Sequence, residues 1–252
     1  MTLQDEASEL LRLHQAPELL VMVNVWDVAS ARVVAAQSGC RAIATASHSI
    51  ADSHGYPDGE QIPLDLMIAA IARIAAAVDV PVSADLEAGY GDTGTTVRRA
   101  IGAGAVGGNL EDQMRPLAES VAMVADAVQA GEAEGVPFVV NARTDAYLLG
   151  SDRDAGDLAR DAIERGRAFL DAGAGCVFVP GRLDRDTIAR LVEGIGERRI
   201  SVLAGPGAPS QAELTALGVA RISYGPWTQR VVMAAFADLA ADLFAGGALP
   251  RS

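Results

Sequence analysis

Lysine is absent from this chain: all 20 side chains of the Lys and Arg class are arginine. An imine with a carbonyl substrate or with pyridoxal phosphate needs a lysine amine, so Schiff-base chemistry is excluded, as is the lysine of a phosphate-binding P-loop. If a carbonyl is activated here, a metal ion has to polarise it. Cysteine is nearly absent too. Cys40 and Cys176 each lie beside apolar runs, which leaves no disulfide framework and no CxxC metal motif, and fits a reduced, cytoplasmic setting. Positive charge is scarce, with 33 acidic residues and a formal net charge of -13, which argues against nucleic acid and anionic membrane as partners. No apolar run is long enough to span a bilayer, and the acidic start, Met1-Thr2-Leu3-Gln4-Asp5-Glu6, lacks the features of a signal peptide.

What the chain does contain is a repeating unit. Short apolar runs at 19–25, 42–46, 80–86, 105–110, 138–142, 176–179, 201–204 and 220–223 end in polar residues. Between them lie stretches with the apolar spacing of helices packed on a sheet, at 28–37, 64–78, 95–101, 118–130, 156–172, 185–195 and 211–217. Glycines at 39, 102, 131, 173, 196 and 218 mark the expected helix ends. Eight such units in 252 residues, 50% of them hydrophobic, predict one α/β domain over 1–252, a closed parallel (β/α)8 TIM barrel. Gly102-Ala103-Gly104-Ala105-Val106-Gly107 matches GxGxxG, but it ends a helix and enters a strand, the reverse of a dinucleotide-binding turn. The long connection 47–63 reads as an active-site loop over the barrel mouth.

In such a barrel, catalytic groups gather at the C-terminal ends of the strands. Those positions hold Trp26-Asp27, Ser47-His48, Asp85 with Glu87, Glu111-Asp112, Arg143 with Asp145, Arg182 and Tyr224. Asp85 and Glu87, two residues apart on one strand, are expected to converge and to need a cation or a proton between them. Clustered carboxylates point to a hard divalent metal, magnesium with manganese as the alternative. Arg143 is expected across the bore as the anchor for a substrate anion, and backbone donors near Ser47-His48-Ser49 for another carboxylate. Plainer readings stand beside these: Asp27 capping the helix from Val28, Asp145 pairing with Arg143, and Tyr224 packing at the rim.

Taken in order, the motifs Asn24-Val25-Trp26-Asp27, Gly55-Tyr56-Pro57-Asp58-Gly59-Glu60, Asp85-Leu86-Glu87-Ala88-Gly89-Tyr90-Gly91, Asn109-Leu110-Glu111-Asp112, Ala142-Arg143-Thr144-Asp145 and Leu203-Ala204-Gly205-Pro206-Gly207 resemble the isocitrate lyase/phosphoenolpyruvate mutase superfamily over nearly the whole chain. The resemblance implies Mg²⁺ bound directly at Asp85, its waters held by Asp58, Glu87 and Glu111, and a substrate anion on Arg143. Asp58 enters only through the resemblance. It also implies a homodimer or homotetramer that exchanges the last helix, 226–244, with 226–252 as the segment making oligomer contacts.

Two departures follow. Where lyases of the family carry a Lys-Lys-Cys-Gly-His type loop, and where mutases and phosphonopyruvate hydrolases carry a longer gating loop, this chain has Gln113-Met114-Arg115-Pro116-Leu117. The loop that embraces the substrate carboxylate reads Ala46-Ser47-His48. His48 is then either a proton donor or a rim histidine satisfied by Asp58 or Glu60, and Tyr90 is a second acid/base candidate. Substrate contacts are expected at Trp26, Asp27, Ala46, Ser47, His48 and Arg143. The expected activity is a Mg²⁺-dependent carbon–carbon lyase acting through an enolate on a small 2-oxo or 2-hydroxy di-acid. The alternatives are carbon–phosphorus chemistry as in a phosphonopyruvate mutase or hydrolase, or a non-catalytic binder of metal and oxyacid.

Overall fold

The computed structural model describes residues 2–150 and 152–249, so Met1 and the last three residues of the expected C-terminal segment lie outside the described residues. The chain begins with α1 (Leu3–Gln15), whose start is closed by a reciprocal cap: Thr2 Oγ1 accepts from the Asp5 amide and the Asp5 carboxylate accepts from the Thr2 amide. The first apolar run breaks at Val23 into β1 (Leu20–Met22) and β2 (Asn24–Val25), followed by α2 (Val28–Ala35) and β3 (Ile43–Thr45). Next come α3 (Ser47–Ser53), α4 (Leu64–Ala75), β4 (Val82–Asp85), α5 (Thr93–Gly102), β5 (Gly107–Glu111), α6 (Leu117–Ala133) and β6 (Val139–Arg143). The chain continues through α7 (Ala146–Leu149), α8 (Ala155–Asp171), β7 (Cys176–Val179), α9 (Arg185–Ile195), β8 (Ile200–Leu203), α10 (Gln211–Ala216), β9 (Arg221–Ser223) and α11 (Trp227–Phe244).

All pairings are parallel, in the order β1-β9-β8-β7-β6-β5-β4-β3-β2. Because β1 and β2 are two halves of one run, the pairing of β1 with β9 and of β2 with β3 closes the sheet into the eight-position barrel expected from the repeat. Strands such as β3 and β7 are buried along their whole length, as strands covered on both faces must be. Helix ends depart in detail from the glycine signals. Gly102 ends α5 and Gly131 lies inside α6, and the left-handed glycines that follow these helices are Gly104 and Gly135. Gly173, Gly196 and Gly218 do hold positive φ after α8, α9 and α10. The connection 47–63 is a loop only from His54, since α3 takes up its first seven residues.

A helix with no counterpart in the repeat closes the floor of the barrel. Ala7, Leu10, Leu13 and His14 of α1 are buried, and Leu10 reaches the inner surface of β5. A Cβ on Gly107 would stand 2.8 Å from Leu10 Cδ2 and 2.8 Å from the Val139 carbonyl oxygen, so this position accepts only glycine without a shift. The opposite case is α11, which leaves Val231, Val232, Met233, Phe236 and Phe244 exposed and buries only Gln229. Among the described residues no helix is long and apolar enough to cross a membrane.

Overpacking beneath the barrel should therefore be costly where a missing side chain admits α1. Gly107→Ala is expected to lower the unfolding free energy by about 1–3 kcal/mol in urea denaturation, with Gly102→Ala, where an added Cβ meets nothing, neutral or stabilising. Equal effects of the two substitutions would contradict this packing.

Candidate active site

Asp85 is the last residue of β4, and its neighbours on both sides hold it. Its amide donates to Thr45 Oγ1 at 2.9 Å. Its Oδ2 accepts from the Ser47 amide at 3.1 Å and from the Ser47 hydroxyl at 2.7 Å, while Oδ1 faces Asn109 Nδ2 at 3.5 Å, in register on β5. The Ser47 amide expected to face a substrate carboxylate is thus committed to Asp85. The Ala46 amide is committed to the Val25 carbonyl at 3.2 Å.

Glu87 reaches the same region by a different route from the one its spacing suggested. The strand ends at Asp85, and Glu87 sits in the following turn with φ 50°, so the turn places its side chain and strand alternation does not. It is buried. Its Oε2 accepts from the Glu60 amide and its Oε1 from the Tyr90 hydroxyl at 3.3 Å. Burial first, then the charges of Asp85, Asp58 and Glu111, push the Glu87 carboxyl up to about 7. Burial and the Glu87 carboxylate hold the Tyr90 phenol well above its ordinary value, so it stays protonated at neutral pH.

The ends of β5 and β6 supply the second half of the site. Glu111 lies opposite Arg143 in register, and Arg143 Nη1 meets Glu111 Oε2 at 2.6 Å while Nε meets Asp145 Oδ1 at 2.6 Å. Arg143 thus stands beside the acidic cluster on the next strand but one from Asp85, not across the bore. Burial pushes Glu111 up to about 7 against the pull of Arg143, with Asp145 and Asp85 adding to the rise. Asp112 turns away from this group: it is fully buried, pairs with Arg165 of α8 at 3.0 Å, and accepts from the Met114 and Asp145 amides. It braces the loop after β5 against α8.

Asp58 and His48 meet at the rim, with 3.3 Å between Oδ2 and Nδ1 and both side chains partly exposed. Trp26 and Asp27 are not brought into the group. Both line a cavity of about 600 Å³ between α2 and α11, together with Tyr224 and Trp227. Asp27 Oδ1 accepts from the Ser30 amide at 2.7 Å and caps α2. Arg182 lines a different cavity, of about 770 Å³, with Leu203, Pro206 and Trp227. Thr45 and Asn109, which hold the acidic residues in place, have no role in the sequence analysis, and Glu60, expected there only as an alternative partner of His48, instead holds the turn of Glu87 and Tyr90. Only position in the motifs, or beside them, marked Thr45 and Asn109.

Asp85, Asp58 and Glu111 lie near enough to Glu87 for their charges to add to the effect of burial on it. Among the described residues no three His, Cys, Asp or Glu side chains close on one point as direct ligands. The oxygen donors of these carboxylates are hard and anionic, the type that divalent cations such as magnesium take.

A family model described as phosphoenolpyruvate phosphomutase matches residues 10–244. An uncharacterized protein of Mycobacterium tuberculosis (strain ATCC 25618 / H37Rv) is 34% identical over 241 residues, covering 95% of this chain and 90% of its own. The 2,3-dimethylmalate lyase of Eubacterium barkeri is 29% identical over 252 residues, covering 92% of this chain and 84% of its own. Among solved structures, oxaloacetate acetylhydrolase in complex with the product oxalate superposes with a TM-score of 0.87 at 25% identity, over 98% of this chain and 89% of that one.

A carboxyl raised in the folded state binds its proton more tightly there than in the unfolded chain. Its contribution to stability is complete at low pH and is lost as pH rises through the folded value. In the metal-free protein, unfolding free energy should therefore fall between the ordinary glutamate range and about 7, then level off. Glu87→Gln is expected to gain on the order of 2 kcal/mol over the native chain near pH 8 and little near pH 4, read by denaturant titration in EDTA. An unchanged pH profile would contradict the charge crowding at Glu87.

Proposed function

The chain belongs to the phosphoenolpyruvate mutase/isocitrate lyase superfamily, whose members include lyases and mutases acting on small oxo-acids, and from that premise we propose that it is a magnesium-dependent carbon–carbon lyase for a small 2-oxo or 2-hydroxy di-acid. The observation that carries the reading is the meeting of Asp85, Glu87, Glu111 and Asp58 at one mouth of the barrel, beside an arginine whose fork is already steadied. In this proposal Asp85 holds the metal directly, and Asp58, Glu87 and Glu111 hold its waters. Bound there, magnesium supplies Lewis acidity toward a 2-oxo oxygen.

The remaining roles belong to the chain's own side chains. Ser47 fixes the direction of the Asp85 carboxylate through two hydrogen bonds. Arg143, with two of its donors on Glu111 and Asp145, presents the rest of its guanidinium to the second anionic group of the substrate. In a 2-hydroxy di-acid, loss of the hydroxyl proton to a carboxylate of the cluster would let the hydroxyl carbon become the 2-oxo product as its carbon–carbon bond breaks, leaving the other fragment as an enolate, which a proton donor must quench. The Tyr90 phenol, protonated at neutral pH, and His48, paired with Asp58 at the rim, are the two donors in reach of the cluster. Similarity to the dimethylmalate lyase supports breaking a carbon–carbon bond. This scheme assigns no step to Trp26 and Asp27, which line the cavity between α2 and α11.

Incubation of the purified protein and Mg²⁺ with oxaloacetate, substituted malates, methylisocitrate and phosphonopyruvate, followed by NMR of the products, identifies the bond broken. Carbon–carbon cleavage of one of the di-acids with phosphonopyruvate left intact is the expected result. Conversion of phosphonopyruvate alone would establish carbon–phosphorus chemistry instead, and Mg²⁺-dependent binding of oxalate without any turnover would leave a binder. Asp85→Ala should weaken that oxalate binding by at least about 100-fold in calorimetry, and unchanged affinity would remove Asp85 from the site.

A further inference from the structure

Glu60 joins two loops in both directions. Its Oε1 accepts from the amides of Ala88 at 3.1 Å and Tyr90 at 2.6 Å, and its own amide donates to Glu87 Oε2. The partners lie 27 to 30 residues away in the chain, so these bonds tie the loop before α4 to the turn after β4. All three residues that the clasp joins through a left-handed backbone are non-glycine: Glu60 at φ 59°, Glu87 at φ 50° and Tyr90 at φ 51°. Side-chain-bearing residues keep that conformation where surrounding contacts enforce it. The two amides on either side of Gly89 form a small concavity suited to an anion, and the chain fills it with its own half-buried carboxylate.

We propose that Glu60 is a positioning residue: it clasps the loop bearing Asp58 onto the turn bearing Glu87 and Tyr90, and so sets the placement of these three groups around the site. Its effect on metal binding rests on the reading above, whereas the clasp itself does not. The Glu60 amide steadies the Glu87 carboxylate from one side while the Glu60 carboxylate fixes the turn from which Glu87 and Tyr90 project. Loss of the side chain leaves two amides of a buried turn without their acceptor and frees the register between the loops.

Two substitutions separate the side chain from the backbone. Glu60→Gly keeps the amide and tolerates the left-handed φ, so it deletes only the carboxylate; Glu60→Gln keeps an acceptor oxygen of the same reach. Amide hydrogen exchange followed by NMR in metal-free protein, together with calorimetric titration of Mn²⁺, reads both consequences. Glu60→Gly is expected to speed exchange at Ala88 and Tyr90 about tenfold and to weaken Mn²⁺ binding about tenfold, with Glu60→Gln restoring most of each. Native-like exchange and affinity in Glu60→Gly would overturn the proposal, and so would a Glu60→Gln protein that restores neither. If the unsubstituted chain binds no Mn²⁺, the metal-centred reading falls and exchange alone decides: a tenfold rise in Glu60→Gly upholds the clasp, and no rise overturns it.

Discussion

Burial of acidic side chains close to one another at one mouth of the barrel is what the rest of the site must accommodate. Burial disfavours the charged form of a carboxyl and neighbouring carboxylates add to that, so the acidic groups placed together here need compensation to stay ionised. Each has its own donors: Ser47 for Asp85, the Glu60 amide and Tyr90 for Glu87, Arg143 for Glu111 and His48 for Asp58. These are hydroxyls, amides, a guanidinium and an imidazole, the donors left to a chain without lysine. They do not offset burial, which together with the neighbouring carboxylates pushes Glu87 and Glu111 up to about 7. In the proposed function a cation with water around it would offset this charge, and that is the link between the fold and the proposed chemistry.

Beneath the cluster, the barrel interior carries a balancing charge. Arg221 on β9 is fully buried, with Nη1 3.3 Å from Ser83 Oγ and Nη2 3.4 Å from Asn109 Oδ1. Burial lowers it to about 10, so it remains charged at neutral pH, and Asp85 is among the groups that favour its charge. Asn109 accepts from Arg221 and from Asn141 on its oxygen, which turns its amide nitrogen toward Asp85. The layer of polar side chains under the site thus orients its principal carboxylate from below, as Ser47 and Thr45 do from the side.

The barrel was legible in the residues because strands buried on both faces read as continuous apolar runs, and these recur at a regular interval. What that pattern did not contain was α1, which precedes the first apolar run and mixes its buried Leu10 and Leu13 with charged residues of both signs, and α3, a short polar helix that follows β3. Of the site, Asp85 and Arg143 were legible as charged residues closing strands. The Asp27 cap was legible from Asp followed by Ser three residues on. Glu87 reached the right volume although the strand had already ended, since a left-handed turn replaced the alternation. Apolar periodicity carries no strand register, so the expectation of Arg143 across the bore gives way to its register with Glu111, which brings it beside the cluster. The roles of Glu60, Thr45 and Asn109 in holding the site are not legible in the sequence, because they act through bonds between segments 24 to 40 residues apart, which no local spacing encodes.

The central claim is that these carboxylates share one cation. It is tested most directly by calorimetric titration of Mg²⁺ into the metal-free protein near pH 7 in buffers of differing ionisation heat. A single class of site, one ion per chain, with protons released on binding, is the predicted result, because the raised Glu87 and Glu111 carboxyls give up protons to a bound cation. Saturable binding with no proton release, or no saturable binding at all, would contradict it.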